Sequence, residues 1–248
     1  PRVDAIAAKD KLHLNLQFAG SEEALRSLND GRCNVAGFHV PRLPEGSSVF
    51  AKALRTLLQP GEHKLIGSHR RTQGLMLRKS SATQVKPRGV RDLVEGGWRL
   101  VNRQPGSGTR LLMDHLVQEA GVSGSQIDGY FDRIERTHVA VAASVAAGAG
   151  DVALGIEAAA REFGLDFLPI VEEDYFLVCL KPALELTAVR RLREMLASTA
   201  WNQAMAALPG YGVKRAGQIL SLTRALPWWQ FPDGKRRIPA RSSLDAQD

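Results

Sequence analysis

Residues 98–120 constrain the fold most. Trp98 to Asn102 reads as a buried strand, Pro105-Gly106 breaks it, and a helix opens at Ser107-Gly108-Thr109 and runs to Ala120. Proline and glycine punctuate the strand, serine and threonine are good helix caps, and Gly106 and Gly108 allow backbone to come close. A helix N-terminus presents unpaired N–H groups and a partial positive charge, which suits an anion. On this stretch alone two readings stand: an ordinary capped turn, or one wall of an anion cradle.

The unit recurs along the chain. Leu12 to Phe18 alternates apolar and polar side chains, so it is expected to be a strand, followed by a helix over Glu22–Leu28 with Ser21 at its cap. Asn34 to His39 is the next strand, then a helix from Ser47 or Ser48 to Leu58. Two strands are expected at His63–Gly67 and Thr72–Arg78, a short helix over Val90–Val94, a strand at Ile134–Thr137 and a helix over His138–Ala147. Strands at Val152–Ile156, Leu165–Val171 and Tyr175–Leu180 follow, and then helices at Glu157–Phe163, Leu186–Leu196, Trp201–Leu208 and a last one ending near Leu222. Strand and helix alternating with short connections predict an α/β fold with parallel sheets. The middle of the chain carries its own set of units, and the segments on either side look like pieces of another. This predicts a discontinuous arrangement: residues 1–68 and 173–225 as lobe I, 69–172 as lobe II, and 226–248 as a basic tail. The chain would cross between lobes near Ile66–Gln73 and Val171–Tyr175.

The 248 residues suffice for one large or two small globular units, and no apolar run is long enough to span a membrane. Pro1-Arg2-Val3-Asp4 is not a secretory signal, and Cys33 and Cys179 each sit in apolar settings that read as buried free thiols. Both features lead us to expect a cytoplasmic location. The net charge of +7 is local, concentrated at 64–79, 190–193 and the tail; it is compatible with nucleic acid, an anionic ligand or a solvated surface.

Candidate chemistry gathers at the strand-to-helix turns Gly20-Ser21, Ser107-Gly108-Thr109, Thr137-His138 and Ile156-Glu157. In open α/β sheets ligands bind beyond the carboxyl ends of the strands, so these turns are expected to converge on one polar cleft. No nucleophile elbow, dinucleotide fingerprint or Walker lysine is present, and the six histidines lack metal-ligand spacing with cysteine or acidic neighbours. Glu172-Glu173-Asp174 reads as a solvated turn, and Trp228-Trp229 as packing.

A family resemblance enters on several separate motifs. Phe18-Ala19-Gly20-Ser21, Asn34 to Val40, Gln73-Gly74-Leu75, Val101 to Leu112, Thr137 to Ala142 and Ala153 to Ala160 together resemble the periplasmic-binding-protein-like domain related to molybdate-binding proteins, over residues 10–182. In bacteria and archaea that domain is found fused to helix-turn-helix regulators or to molybdopterin biosynthesis proteins.

The resemblance implies a type II periplasmic-binding-protein fold, two α/β lobes with a hinge cleft. It implies ligand contacts from Ser21 in the first lobe, from Arg103, Ser107, Gly108, Thr109 and Arg110 in the second, from Thr137 and His138 as a side wall, and from Glu157 and Tyr175 at the cleft edge and hinge. The family's first strand and its Gly-Ser turn are expected to precede the segment given, so that the N-terminal unit of lobe I is missing. The implied function is a ligand-sensing domain of a transcriptional regulator that binds molybdate, tungstate or a molybdenum-cofactor-related compound. No catalytic residue, metal or other cofactor is expected. Implied partners are a small anionic ligand, DNA through a fused helix-turn-helix domain outside this chain, and a second copy as a homodimer, with no membrane. Two alternatives are a secreted solute-binding protein of an ABC transporter and a domain of a molybdopterin-metabolism enzyme, with His138 and Glu157 as the one candidate acid–base pair. Glu157 is awkward beside a bare dianion, since like charges repel strongly in a desolvated cleft; Arg103 or Arg110 would have to neutralise it.

Overall fold

The computed structural model describes residues 7, 12–43, 48–79, 86–226, 228 and 229. In chain order these form α1 (Ser21–Asn29), β1 (Ala36–Pro41), α2 (Ser48–Leu54), β2 (His63–Leu77), α3 (Val90–Glu95), β3 (Leu100–Arg103), α4 (Gly108–Glu119) and β4 (Ile134–Glu135). There follow α5 (His138–Ala146), β5 (Val152–Ile156), α6 (Glu157–Glu162), β6 (Asp166–Leu180), α7 (Thr187–Ala197), α8 (Thr199–Ala206), β7 (Tyr211–Gly212), β8 (Ile219–Leu220) and α9 (Leu222–Ala225). The strands run β1-β6-β2-β5-β3-β4 across the sheet, with β7 and β8 also on β2.

Two strands of 15 residues, β2 and β6, organise everything else. They pair antiparallel along their whole length, with register shifts at Gly67/His69 and Gln73/Gly74. Their composition explains their role. Leu65, Phe176 and Val178 at one end pack into a core with α1 residues Leu25 and Leu28, while Ile66 and Cys179 pack on the other face with Val189 and Met195 of α7. At the far end Leu75, Leu77 and Val171 join Leu100, Leu112 and Met113, and Met76 joins Val141, Val145 and Ala153. Between the apolar ends both strands are polar: Ser68 to Gln73 on β2 and Glu172 to Asp174 on β6. Two α/β lobes thus share two continuous strands, with a polar segment where they meet.

Several expectations need correction. The strands expected at 63–67 and 72–78 are one strand, as are those at 165–171 and 175–180, because the polar run between each pair stays extended and is paired across the ladder. The sheet is mixed: β5–β3 and β3–β4 are parallel, but β1–β6, β6–β2 and β2–β5 are antiparallel. Residues 12–20 form no strand, and their alternation leaves Phe18 97% exposed instead of covering a core face. The last segment holds β7, β8 and a short α9 in place of one helix, since Gly210 and Gly217 take left-handed backbone that a helix excludes. Glu172-Glu173-Asp174 is no turn; it lies within β6. Cys179 is buried, Cys33 is partly exposed, and both are free. Trp228 and Trp229 pack into the first core. The spacing of Val3, Ile6 and Ala7 also predicts the end of a helix over residues 1–10, of which only Ala7 is among the described residues; the basic tail, apart from Leu226, Trp228 and Trp229, lies outside them as well.

Candidate functional site

The polar middle of β2 and β6 builds the floor of a cleft. In the register Arg71 faces Glu173 and Arg70 faces Asp174. Side chains alternate along a strand, so Arg71 and Glu173 share one face with Tyr175 and with His39 of β1, whose register partner is Tyr175. Glu173 is fully buried; its Oε1 accepts from Arg71 Nε, and its Oε2 accepts from Gln73 Nε2 at 2.6 Å. His39 Nδ1 lies 3.3 Å from the same carboxylate. His69 sits in an aromatic stack, with ring centroids 4.7 Å from Tyr175 and 5.3 Å from Tyr211; Tyr175 stacks in turn on His39 at 4.4 Å.

The walls come from three helix N-termini. Gly20, at the cap of α1, meets the turn before α4 so closely that a methyl there would lie 2.8 Å from Gly106 O. Ser21 is buried, and a methyl on Gly108 would lie 3.6 Å from its Oγ and 3.8 Å from His39 Cβ. Ser107 caps α4 by accepting from Arg110 N, and Thr109 behind it is buried. Thr137 caps α5 by accepting from Ala140 N. Arg103, at the end of β3, donates from Nη2 to Arg136 O at 2.9 Å, while its Nε is buried without a partner. His138 Nδ1 is likewise buried and unpartnered, as is Gln73 Oε1.

The electrostatics follow from this crowding. Arg71 keeps a raised pKa: burial opposes its charge, and Glu173 and Tyr211 outweigh that. Arg103 has no such carboxylate and is pushed down to about 10, by burial first and then by Arg71. His39 and His138 are held well below the ordinary histidine range, by burial first and then by Arg71. His69 is lowered to about 3, again by burial and then by Arg71. At neutral pH the cleft therefore holds two guanidinium groups, one carboxylate and three neutral imidazoles. Its fixed charge is positive before the helix N-termini are added.

Of the residues expected from sequence, Ser21, Arg103, Ser107, Gly108, Thr109, His138 and Tyr175 come together here, with Thr137 at the rim. Arg110 turns away: its Nε donates to Asp114 at 2.7 Å, and its guanidinium lies 4.5 Å over the ring of Tyr130. Glu157 is bridged at 2.9 Å by Arg161, one turn along the same helix, and abuts Gly210. Neither Arg103 nor Arg110 neutralises it, because the i,i+4 spacing places Arg161 nearer. Sequence reasoning missed Arg71, Gln73, Glu173, His69 and Tyr211 as cleft residues. The available signal was the pairing of a basic run, His69-Arg70-Arg71, with an acidic run of equal length, Glu172-Glu173-Asp174. Among the described residues no group of three or more His, Cys, Asp or Glu is placed to hold a metal ion.

Tyr175 also explains Gly37. A methyl on Gly37 would overlap the Tyr175 hydroxyl, and the ring cannot swing aside because His39 and His69 hold it on both sides. Gly37→Ala is expected to cost about 1–3 kcal/mol, lowering the thermal midpoint by several degrees. A melt unchanged within a degree would mean that the ring is free to move.

Comparison with known proteins agrees with this architecture. Residues 3–197 match the family model described as a PBP superfamily domain. An uncharacterized Bacillus subtilis (strain 168) protein, YvgK, is 29% identical over 204 residues, which are 82% of this chain; the chain spans 64% of that relative's length. A phosphate ABC transporter substrate-binding protein of Clostridium perfringens, solved with bound phosphate, superposes with a TM-score of 0.60 at 12% identity, covering 85% of this chain and 92% of its own. The effector-binding domain of QuiR in complex with shikimate gives a TM-score of 0.56 at 10% identity, covering 79% and 88%. With a family model spanning most of the chain and a type II fold built on two shared strands, the protein belongs to the periplasmic-binding-protein-like (PBP) superfamily.

Proposed function

We propose that this chain is the ligand-sensing domain of a cytoplasmic transcriptional regulator and that its cleft takes a small oxyanion such as molybdate or tungstate, or a molybdenum-cofactor-related compound. The observation that carries this reading is the pair of buried, unpartnered nitrogens, Arg103 Nε and His138 Nδ1, facing a cleft whose single buried carboxylate is already bonded to Arg71 and Gln73. Buried polar groups are ordinarily satisfied, and an acceptor-rich anion satisfies these. The N-termini of α4 and α5 add their unpaired N–H groups. Phosphate in one structural relative and shikimate, a carboxylate, in another support an anionic ligand. The effector-binding role of the latter supports sensing over transport.

The protein acts by binding without turnover. His138 and Glu157, the candidate acid–base pair, do not form one unit, since Glu157 is engaged by Arg161. Ligand would draw lobe I (1–68 and 173–225) onto lobe II (69–172) about the middles of β2 and β6. That movement would be passed to a fused DNA-binding domain or a second copy by population shift. Among the described residues no helix is long and apolar enough to cross a membrane.

Titration calorimetry with molybdate, tungstate, sulfate and phosphate tests the reading. At least one should bind, and Arg103→Ala should weaken it about 30-fold or more, the equivalent of losing about 2 kcal/mol from a buried charged contact. Absence of heat for all four, with folding intact by circular dichroism, removes the oxyanion. A helix-turn-helix encoded upstream favours the regulator; a signal peptide there favours a transporter.

A further inference from the structure

A cavity of about 620 Å³ opens beside the cleft. Val40, Asp174 and Phe176 line it, and so do His69 and Tyr175 of the cleft floor. The two spaces therefore adjoin at His69 and Tyr175. Its volume falls in the range of small-molecule sites.

The cavity's lining joins apolar surface to unneutralised positive charge. Val40, Phe176, Leu226 and Trp229 supply apolar surface. Arg42, Lys214, Arg215 and Arg224 supply cations, against Asp174 as the one lining carboxylate. Asp174 is already bridged by Arg70 at 2.7 Å and by Arg42 at 3.5 Å. Lys214, Arg215 and Arg224 have no carboxylate partner among the described residues. Three unpaired cations around one recess repel one another, and an anion relieves that repulsion.

The loop that carries two of them is held in place. Gly217 N donates to Gly67 O at 2.9 Å, and Gly67 N donates to Gln218 O at 3.0 Å, where β2 shifts register. Gly67 has no room for a side chain, because the Arg215 carbonyl lies against it. Arg215 itself adopts φ 57°, the one left-handed non-glycine among the described residues. Such strain persists only where surrounding structure enforces it, and it clusters at binding sites.

We propose that this cavity is a further ligand subsite, adjoining the cleft at His69 and Tyr175, for an organic anion with an apolar body and a phosphate or carboxylate head. The ring or chain would lie on Trp229 and Phe176, and the head would meet Lys214, Arg215 and Arg224. Binding of 1-naphthyl phosphate to the full chain, followed by calorimetry, tests this. The wild type is expected to bind it saturably, and naphthalene-1-methanol at least tenfold more weakly. Lys214→Glu/Arg224→Glu, both at exposed positions, should weaken the phosphate at least tenfold with an unchanged circular dichroism spectrum. Lys214→Gln/Arg224→Gln should weaken it several-fold, and Arg103→Ala should leave it unchanged. Three results would each overturn the proposal: no saturable binding, equal affinity for the neutral alcohol, or loss of binding in Arg103→Ala but not in the charge variants. The last would place the compound in the cleft.

Discussion

Replacing Glu173 by alanine is expected to destabilise the protein by about 3–5 kcal/mol, the effect of removing one partner from a buried ion pair. The carboxylate is fully buried and bonded to Arg71, whose side chain is 9% exposed, and to Gln73, which is fully buried. Without it a guanidinium stays desolvated beside a second one, Arg103, with no compensating charge. A loss of this size is a large fraction of the total stability of an ordinary domain, and denaturant unfolding would register it as a fall in midpoint at constant slope. Two controls separate charge from packing. Glu173→Ala/Arg71→Ala should recover part of the loss, because the stranded charge has gone. Millimolar phosphate or sulfate should stabilise Glu173→Ala more than the wild type, since an anion can then occupy the carboxylate's place. A loss below about 1 kcal/mol would mean that Arg71 finds solvent and that the pair does not organise the hinge.

This pair also marks where the sequence stopped being informative. The capped turns at Ser107 and Thr137 were legible because capping is local: a serine or threonine before an apolar run carries its own structural meaning within three residues. These two turns stand at the cleft walls. Ser21 was expected to cap α1 in the same way, but the cap falls on Gly20 with no side-chain bond, and Ser21 is the first residue of the helix. The floor was not legible, because Glu173 and Arg71 lie about a hundred residues apart and are joined only by the register of β2 on β6. Taken alone, an acidic triplet has the composition of a solvated turn. What buries Glu173 is the pairing of β6 with β2 through the triplet, which sets the carboxylate among Arg71, Gln73 and His39. Arg110 failed for the converse reason. It sits one residue beyond the cleft turn, but its place in the first turn of α4 directs it to Asp114 four residues on and to the face of Tyr130. A motif fixes the backbone of a turn, whereas helix phase decides which of its side chains enters the site. Trp228 and Trp229 were legible as core, since paired indoles near a chain end are stable mainly when buried.

Acidification should unfold the protein well before its carboxylates alone would require it. His39, His69 and His138 are all held neutral in the folded state, with His69 lowered to about 3 and the other two well below the ordinary range. The cause is common to them: burial first, then the positive charge of Arg71, with Arg103 also acting on His39 and His138. In the unfolded chain the same rings titrate near 6.5. Between the two values the unfolded state binds more protons, so the stabilisation is whole above about pH 6.5 and is lost as pH falls. With three rings in play, stability should fall by about 4 kcal/mol per pH unit around pH 5. His63, lowered mainly by burial, acts in the same direction. Denaturant titrations from pH 7 to pH 4 would measure the slope, and a flat profile would mean that the rings gain protons within the folded protein. Each His→Gln substitution among the three should reduce the slope by about one proton. The same rings give the cleft an adjustable charge: a dianion seated beside His138 and His39 offsets the field of Arg71 and Arg103 and raises the histidine pKa values. Anion binding should then take up protons and tighten as pH falls from 7 to 6. Calorimetry in two buffers of different ionisation enthalpy reads that uptake directly, and identical heats in both would mean that the imidazoles stay neutral and that the guanidinium groups and helix N-termini alone meet the charge.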